Sequence, residues 1–272
     1  MINNEAVILP DTENKPPEKR VWGAWATIGF GAAVLVVFVV VQVLVVIIAG
    51  VVMAFTQLQP TSGTPQFDVV LNKISDVLNA NMGLLQSIAT IASGIICTGL
   101  ILLFIKARQR AGIAEYLGLK KINYKAALLA LGVVIVFIVF SSLVYYTLGK
   151  STNEGIVNDI YHTAGWAPLF WIAVVIFAPL FEEAFFRGFL LEGFRQSRLG
   201  AIGAILLTAF GWALLHSLQY NIYSIIWIFM LGIAMGIVRV RTGSIWSTFI
   251  MHALVNIVAT AEVAFKLSIF IR

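Results

Sequence analysis

The chain has 272 residues, of which 60% are hydrophobic and only 11% charged. A soluble domain of this length would carry about 25% charge, and several uncharged runs exceed the roughly 18 residues that mark a membrane span, so a water-soluble fold is excluded. The net charge of +5 reads as basic residues gathered in cytoplasmic loops rather than as a nucleic-acid surface, and the single cysteine, Cys97, leaves neither an internal disulfide nor a cysteine-based metal site.

In chain order, residues 1–20 are polar and proline-containing and read as a disordered cytoplasmic tail. The apolar run that follows reaches Phe55, far longer than the core of a signal peptide, and predicts a long, tilted first transmembrane helix. The stretch FDVVLNKISDVLNAN then places Phe67, Val70, Leu71, Ile74, Val77 and Leu78 on one helical face, the pattern of an interfacial amphipathic helix. Further spans are expected at about 84–105, 126–148, 166–194, 201–218, 223–238 and 245–265. Residues 262–272 form either a short eighth span or a segment lying along the membrane surface.

Lysine and arginine placement sets the orientation. Lys15, Lys19 and Arg20, then Lys106, Arg108, Arg110, Lys120, Lys121 and Lys125, then Arg195 and Arg198, and last Arg239 and Arg241 fall on one side. The other side offers only Lys73 and Lys150, with Lys266 and Arg272 at the far end. The expected fold is therefore all-α: a polytopic transmembrane helix bundle of seven to eight spans with a cytoplasmic N-terminus. It divides into the tail 1–20, an N-terminal transmembrane pair with its interfacial helix over 21–125, a second helix bundle over 126–265, and a C-terminal tail, 266–272.

The second bundle holds the polar outliers. Two adjacent glutamates and an arginine interrupt FAPLFEEAFFRGFLLEGF, although an ionised carboxylate inside a membrane helix costs about 2.5–3.5 kcal/mol on insertion scales. Glu183 and Arg187 are four residues apart and can pair on one face, whereas Glu182 points about 100° away and has no such partner. Pro179 loosens the same helix. Two of the three histidines lie in apolar spans, His216 in GWALLHSL and His252 in FIMHALVNI, with Asn256 one turn after His252. His162 reads as an ordinary loop histidine. Glu182 and His216 each lie 17 residues from Leu199, so a helical hairpin turning there brings them to one depth. Taken singly, these residues also fit an intrahelical ion pair and helix–helix hydrogen bonds.

Together they resemble the CPBP family of intramembrane proteases, which includes the CAAX prenyl endopeptidases and bacteriocin-processing or self-immunity proteins. The family signatures EExxxR, FxxxH and HxxxN appear in order as Glu182-Glu183…Arg187, Trp212…His216 and His252…Asn256, with Trp212 in place of the usual phenylalanine. The resemblance covers roughly residues 125–265. It implies an all-helical fold with a polar cavity reached from the cytosolic side, and peptide-bond hydrolysis that depends on the first glutamate.

Amide hydrolysis needs a base for the water, stabilisation of the oxyanion and a proton for the leaving amine. Glu182 is the expected base, with His216 orienting the water or shuttling the proton. His252 and Asn256 are the expected oxyanion donors, and Arg187 holds Glu183 behind them. A zinc site would use Glu182, His216 and His252 as ligands, but there is no HExxH motif, and a metal-bound Glu182 could not act freely as the base. No cofactor is therefore favoured. The expected partners are the bilayer and a membrane-associated peptide or protein, with no nucleic acid, and the expected location is a bacterial cell membrane. A non-proteolytic scaffold or immunity protein and a proton- or ion-coupled transporter are the competing functions.

Overall fold

In the computed structural model, residues 23–57, 67–107, 112–149 and 155–265 are described. The tails expected at 1–20 and 266–272 lie outside them. The described residues form ten helices and no strand: α1 (Ala24–Thr56), α2 (Phe67–Ala80), α3 (Met82–Ala107), α4 (Ile113–Leu117), α5 (Tyr124–Thr147), α6 (Gly155–His162), α7 (Ala167–Arg195), α8 (Gly200–Leu215), α9 (Ile222–Thr242) and α10 (Ile245–Ala264). Six of these are long and apolar enough to cross a membrane, and α8 is a shorter apolar helix between two of them. The multi-pass helical bundle thus follows the sequence reading closely. His162 differs from it, being the last residue of α6 rather than a loop residue.

Helix-forming apolar runs are punctuated by local capping. Asn123 accepts a hydrogen bond from the Ala126 amide at the start of α5, and Asn221 accepts from Tyr223 and Ser224 at the start of α9. Gly243 ends α9 in the left-handed region (φ 68°), and the turn to α10 takes only two residues. At 33 residues, α1 is about 50 Å long against a hydrocarbon core of about 30 Å, so it tilts or projects beyond it. Its few buried positions are mostly small, which lets it lie close along α3, and Gln42 joins the two helices by donating to Ser93 (3.2 Å) and accepting from Gln86 (3.3 Å).

The amphipathic segment is a helix, α2, as its spacing requires. Val77 is buried and Leu78 closes against Gly50 of α1, while Phe67 and Leu71 remain exposed. At the start of α3, Gly83 meets the end of α6 so closely that a Cβ would lie 1.8 Å from the Ile160 carbonyl oxygen, and the Gly83 amide donates to the Thr163 hydroxyl at 2.9 Å.

The helix that carries the glutamates is irregular. α7 widens into π-helical turns at Ala173–Phe177 and again at Glu183–Leu190. Its second π stretch is the best-buried part of the bundle, with Glu183, Phe185, Phe189 and Arg187 all at or below 1% exposure. Widened turns of this kind are frequent at functional sites.

A Gly83→Ala substitution is expected to lower stability by about 1–3 kcal/mol, because backbone must move to admit the methyl group. Gly99→Ala, where nothing lies within 4 Å of the added carbon, is the neutral control. Thermal unfolding of the two purified variants in one detergent distinguishes them.

Candidate active site

The two glutamates diverge, and each is caught by a different helix. Glu183 points into the packed interior, where its Oε1 accepts from Arg187 Nη1 and meets His252 Nδ1 of α10, both at 3.0 Å. Its Oε2 is buried without a hydrogen bond, the Thr248 hydroxyl beside it being turned to the Ile245 carbonyl. Arg187 lies 4.3 Å over the Trp212 ring and points its second nitrogen at Met235 Sδ, 3.7 Å away. A guanidinium stacked on indole gains cation–π attraction that strengthens with desolvation.

Glu182 is not the partnerless group that the sequence predicts. Its Oε2 accepts a short hydrogen bond from the Trp212 indole N–H and sits 3.9 Å from His252 Nε2. Its side chain keeps 20% exposure against 1% for Glu183. Arg187 pairs with Glu183 as the four-residue spacing allows, whereas Glu182, expected to be free, is held by Trp212 and stays the more exposed of the two. Trp212 is the residue that sequence reasoning missed. Its aromatic ring was legible, but a phenylalanine at that position has no N–H to give.

Both histidines are oriented through Nδ1. His252 Nδ1 faces a carboxylate oxygen already paired with Arg187, and His216 Nδ1 faces the Trp212 carbonyl at 2.8 Å. Each partner can only accept, so in the neutral imidazoles Nδ1 carries the hydrogen and Nε2 is left as an acceptor. The His216 and His252 rings lie edge-on to Trp212, with centroids 5.3 and 5.2 Å from it. His216 stands one turn beyond the residue that meets Glu182. The equal-depth expectation is off by that turn because α7 ends at Arg195, four residues before Leu199, which puts Glu182 13 residues before the end of its helix and Trp212 13 residues after Leu199.

Asn256 has a bond that its motif does not reveal. Its Nδ2 donates to the Val174 carbonyl of α7 at 2.8 Å. The first π turn explains why that oxygen is free: Ala178 N bonds Ala173 O, and the next residue, Pro179, has no N–H to offer Val174. One amide hydrogen of Asn256 is thus engaged in tying α10 to α7, and the other is left for the cavity.

That cavity, about 210 Å³, lies between α5, the end of α8, α9 and α10. Trp212, His216, His252 and Asn256 form part of its wall, and Phe137, Trp227 and a group of serines face them. Glu182 is not itself in this wall; it touches two residues that are, Trp212 and His252. Among the described residues no group of three or more His, Cys, Asp or Glu side chains is placed to hold a metal ion.

With this geometry in place, the comparisons bear on identity. The family model for type II CAAX prenyl endopeptidase Rce1-like proteins matches residues 164–258. That match supports the CPBP resemblance. Residues 164–258 are similar to that family. The matched stretch runs from just before α7 into α10 and contains all three signatures, while α1 to α6 fall outside it. Neither a curated protein nor a solved structure matches the chain.

The buried pair gives a stability test. Arg187→Leu leaves Glu183 buried without its cation and is expected to cost about 3–5 kcal/mol, whereas the double variant Glu183→Gln with Arg187→Met recovers part of the loss. Unfolding curves of the wild type and both variants measure the difference.

Proposed function

We propose that the protein is an intramembrane endopeptidase in which Glu182 activates water against a peptide bond held in the α5–α10 cavity. The family match supports a CAAX-type membrane protease in general. The observation that carries the finer reading is the 3.9 Å gap between Glu182 Oε2 and His252 Nε2 beside a cavity. A gap of that size suits one bridging water, held as donor to a carboxylate and to an imidazole whose other nitrogen is fixed.

In this account the water oxygen attacks the carbonyl carbon while its proton passes to Glu182. The oxyanion that forms is met by the remaining N–H of Asn256, while His252 Nε2 accepts from the hydroxyl that the attacking water keeps. The proton on Glu182 then moves to the amide nitrogen as the C–N bond breaks, which frees the carboxylate for the next cycle. Trp212 steadies the carboxylate without taking a proton. Arg187 and Glu183 act one layer behind, by fixing His252. His216, further out along the cavity wall, presents Nε2 to the departing amine or to incoming water.

Glu182→Gln keeps an acceptor for the Trp212 N–H and removes the base, so cleavage of a defined peptide is expected to fall at least about a hundredfold while the protein still folds. Near-normal cleavage by that variant would overturn the mechanism. Wild-type protein that binds peptide and never cleaves it would favour the scaffold or immunity reading. Activity is also expected to persist in extensively dialysed protein with chelator present. Loss that zinc restores would bring back the ligand reading of Glu182, His216 and His252.

The substrate in this reading is an extended segment that already partitions to the membrane. Removing its hydrophobic anchor is expected to lower kcat/KM more than about tenfold, through lost binding energy and local concentration. Equal cleavage of anchored and unanchored forms of one peptide would contradict that.

A further inference from the structure

The cavity occupies one end of the bundle only. Its wall runs outward from Trp212 and His252 to Tyr145 near the end of α5, Tyr220 beyond the end of α8, Ser224 in the first turn of α9 and Val263 in the last turn of α10. All four lie at helix ends remote from Lys106, Lys120, Lys125, Arg195, Arg198 and Arg241. α8 accounts for the opening. Its 16 residues span about 24 Å, short of a hydrocarbon core of about 30 Å, and it starts from the basic end. The deficit falls at the other end, beside His216.

On the basic side the same site is closed. Directly beneath the glutamates lie Phe189, Met235 and Met251, each at 0% exposure, and the fully packed Arg187. Gly188 of α7 is so close to α4 that a Cβ there would lie 2.7 Å from Leu117 Cδ2 and 3.4 Å from Ile245 Cδ1. The segment after α4 is tied across this end by three hydrogen bonds: Arg239 Nη2 to Leu117 O (3.2 Å), Ile245 N to Gly118 O (3.0 Å) and Ser244 Oγ to Lys120 O (2.7 Å).

The basic residues assign the closed end to the cytoplasm. We infer that the substrate segment enters from the extracytoplasmic face, the reverse of the cytosolic access that the CPBP resemblance implies, so the protein takes an exported peptide or the outward-facing juxtamembrane part of a membrane protein, and not a cytosolic lipidated tail. This rests on the proteolytic reading of the site for the word substrate, but not for the direction of the opening. The wall chemistry fits an extended peptide: Phe137 and Trp227 offer apolar surface, and Ser142 lies beside them in the wall.

The test is sided labelling of single cysteines in the full-length Cys97→Ser protein, with Ser142→Cys and Tyr220→Cys in the cavity and Arg198→Cys at the basic end. Cys97 itself is 0% exposed, so its removal clears the background without touching the cavity. In intact cells, a membrane-impermeant thiosulfonate is expected to block the two cavity cysteines and leave Arg198→Cys free, and inverted vesicles are expected to give the reverse. Cavity cysteines that react only in inverted vesicles would overturn the inference, as would cavity cysteines that react from neither side. Labelling needs no catalysis. Outward labelling with no cleavage of an anchored peptide would remove the proteolytic reading and leave the direction standing, whereas cleavage with inward labelling would do the opposite.

Discussion

The arrangement depends on burying Arg187, Glu183 and His252 as one unit inside an apolar bundle. Each of these groups alone would be expensive at bilayer depth. Together, Glu183 Oε1 accepts from a guanidinium and an imidazole at 3.0 Å, and the guanidinium spreads its remaining charge over the Trp212 face. A buried pair of this kind contributes little net stability relative to apolar residues, and losing one partner is what costs heavily. Its return is orientation: His252 cannot rotate without abandoning Glu183, so its Nε2 stays aimed at Glu182.

The same constraint explains why two neighbouring glutamates behave differently. In a helix their side chains diverge, and here one divergence leads to a dry, charge-paired interior and the other to Trp212 in the cavity wall. Trp212 links the two halves, stacking on Arg187 with its face and donating to Glu182 with its edge. Three helices, α7, α8 and α10, are thereby fixed against one another by polar contacts at a single level of the bundle. Above that level α8 ends and space opens.

Much of this was legible in the sequence because hydrophobicity and charge act at long range along a chain. Runs of apolar residues gave the spans within a few positions, and the four-residue spacing of Glu183 and Arg187 gave their pair. What was not legible came from backbone departures and from the donor identity of one ring. α7 stops at Arg195, four residues before the turn that the sequence count assumed, so the neighbour of Glu182 is Trp212 and not His216. The Asn256 bond to Val174 required knowing that a π turn precedes Pro179, although a proline in a membrane helix does announce that some carbonyl upstream lacks its partner. The extent to which the cavity is closed at one end follows from tertiary packing of α4 against α7 and α10, which no local pattern encodes.

The central claim is that the Arg187–Glu183 pair fixes the tautomer of His252 and so aims an unprotonated Nε2 at Glu182. Nitrogen-15 NMR of histidine-labelled protein in bilayers tests this directly, with His252 assigned by its loss in a His252→Gln variant. The account predicts a neutral His252 with hydrogen on Nδ1 and none on Nε2, and loss of that preference in Glu183→Gln protein with Glu182 unchanged. A His252 carrying its hydrogen on Nε2, or one indifferent to the Glu183 substitution, would contradict it.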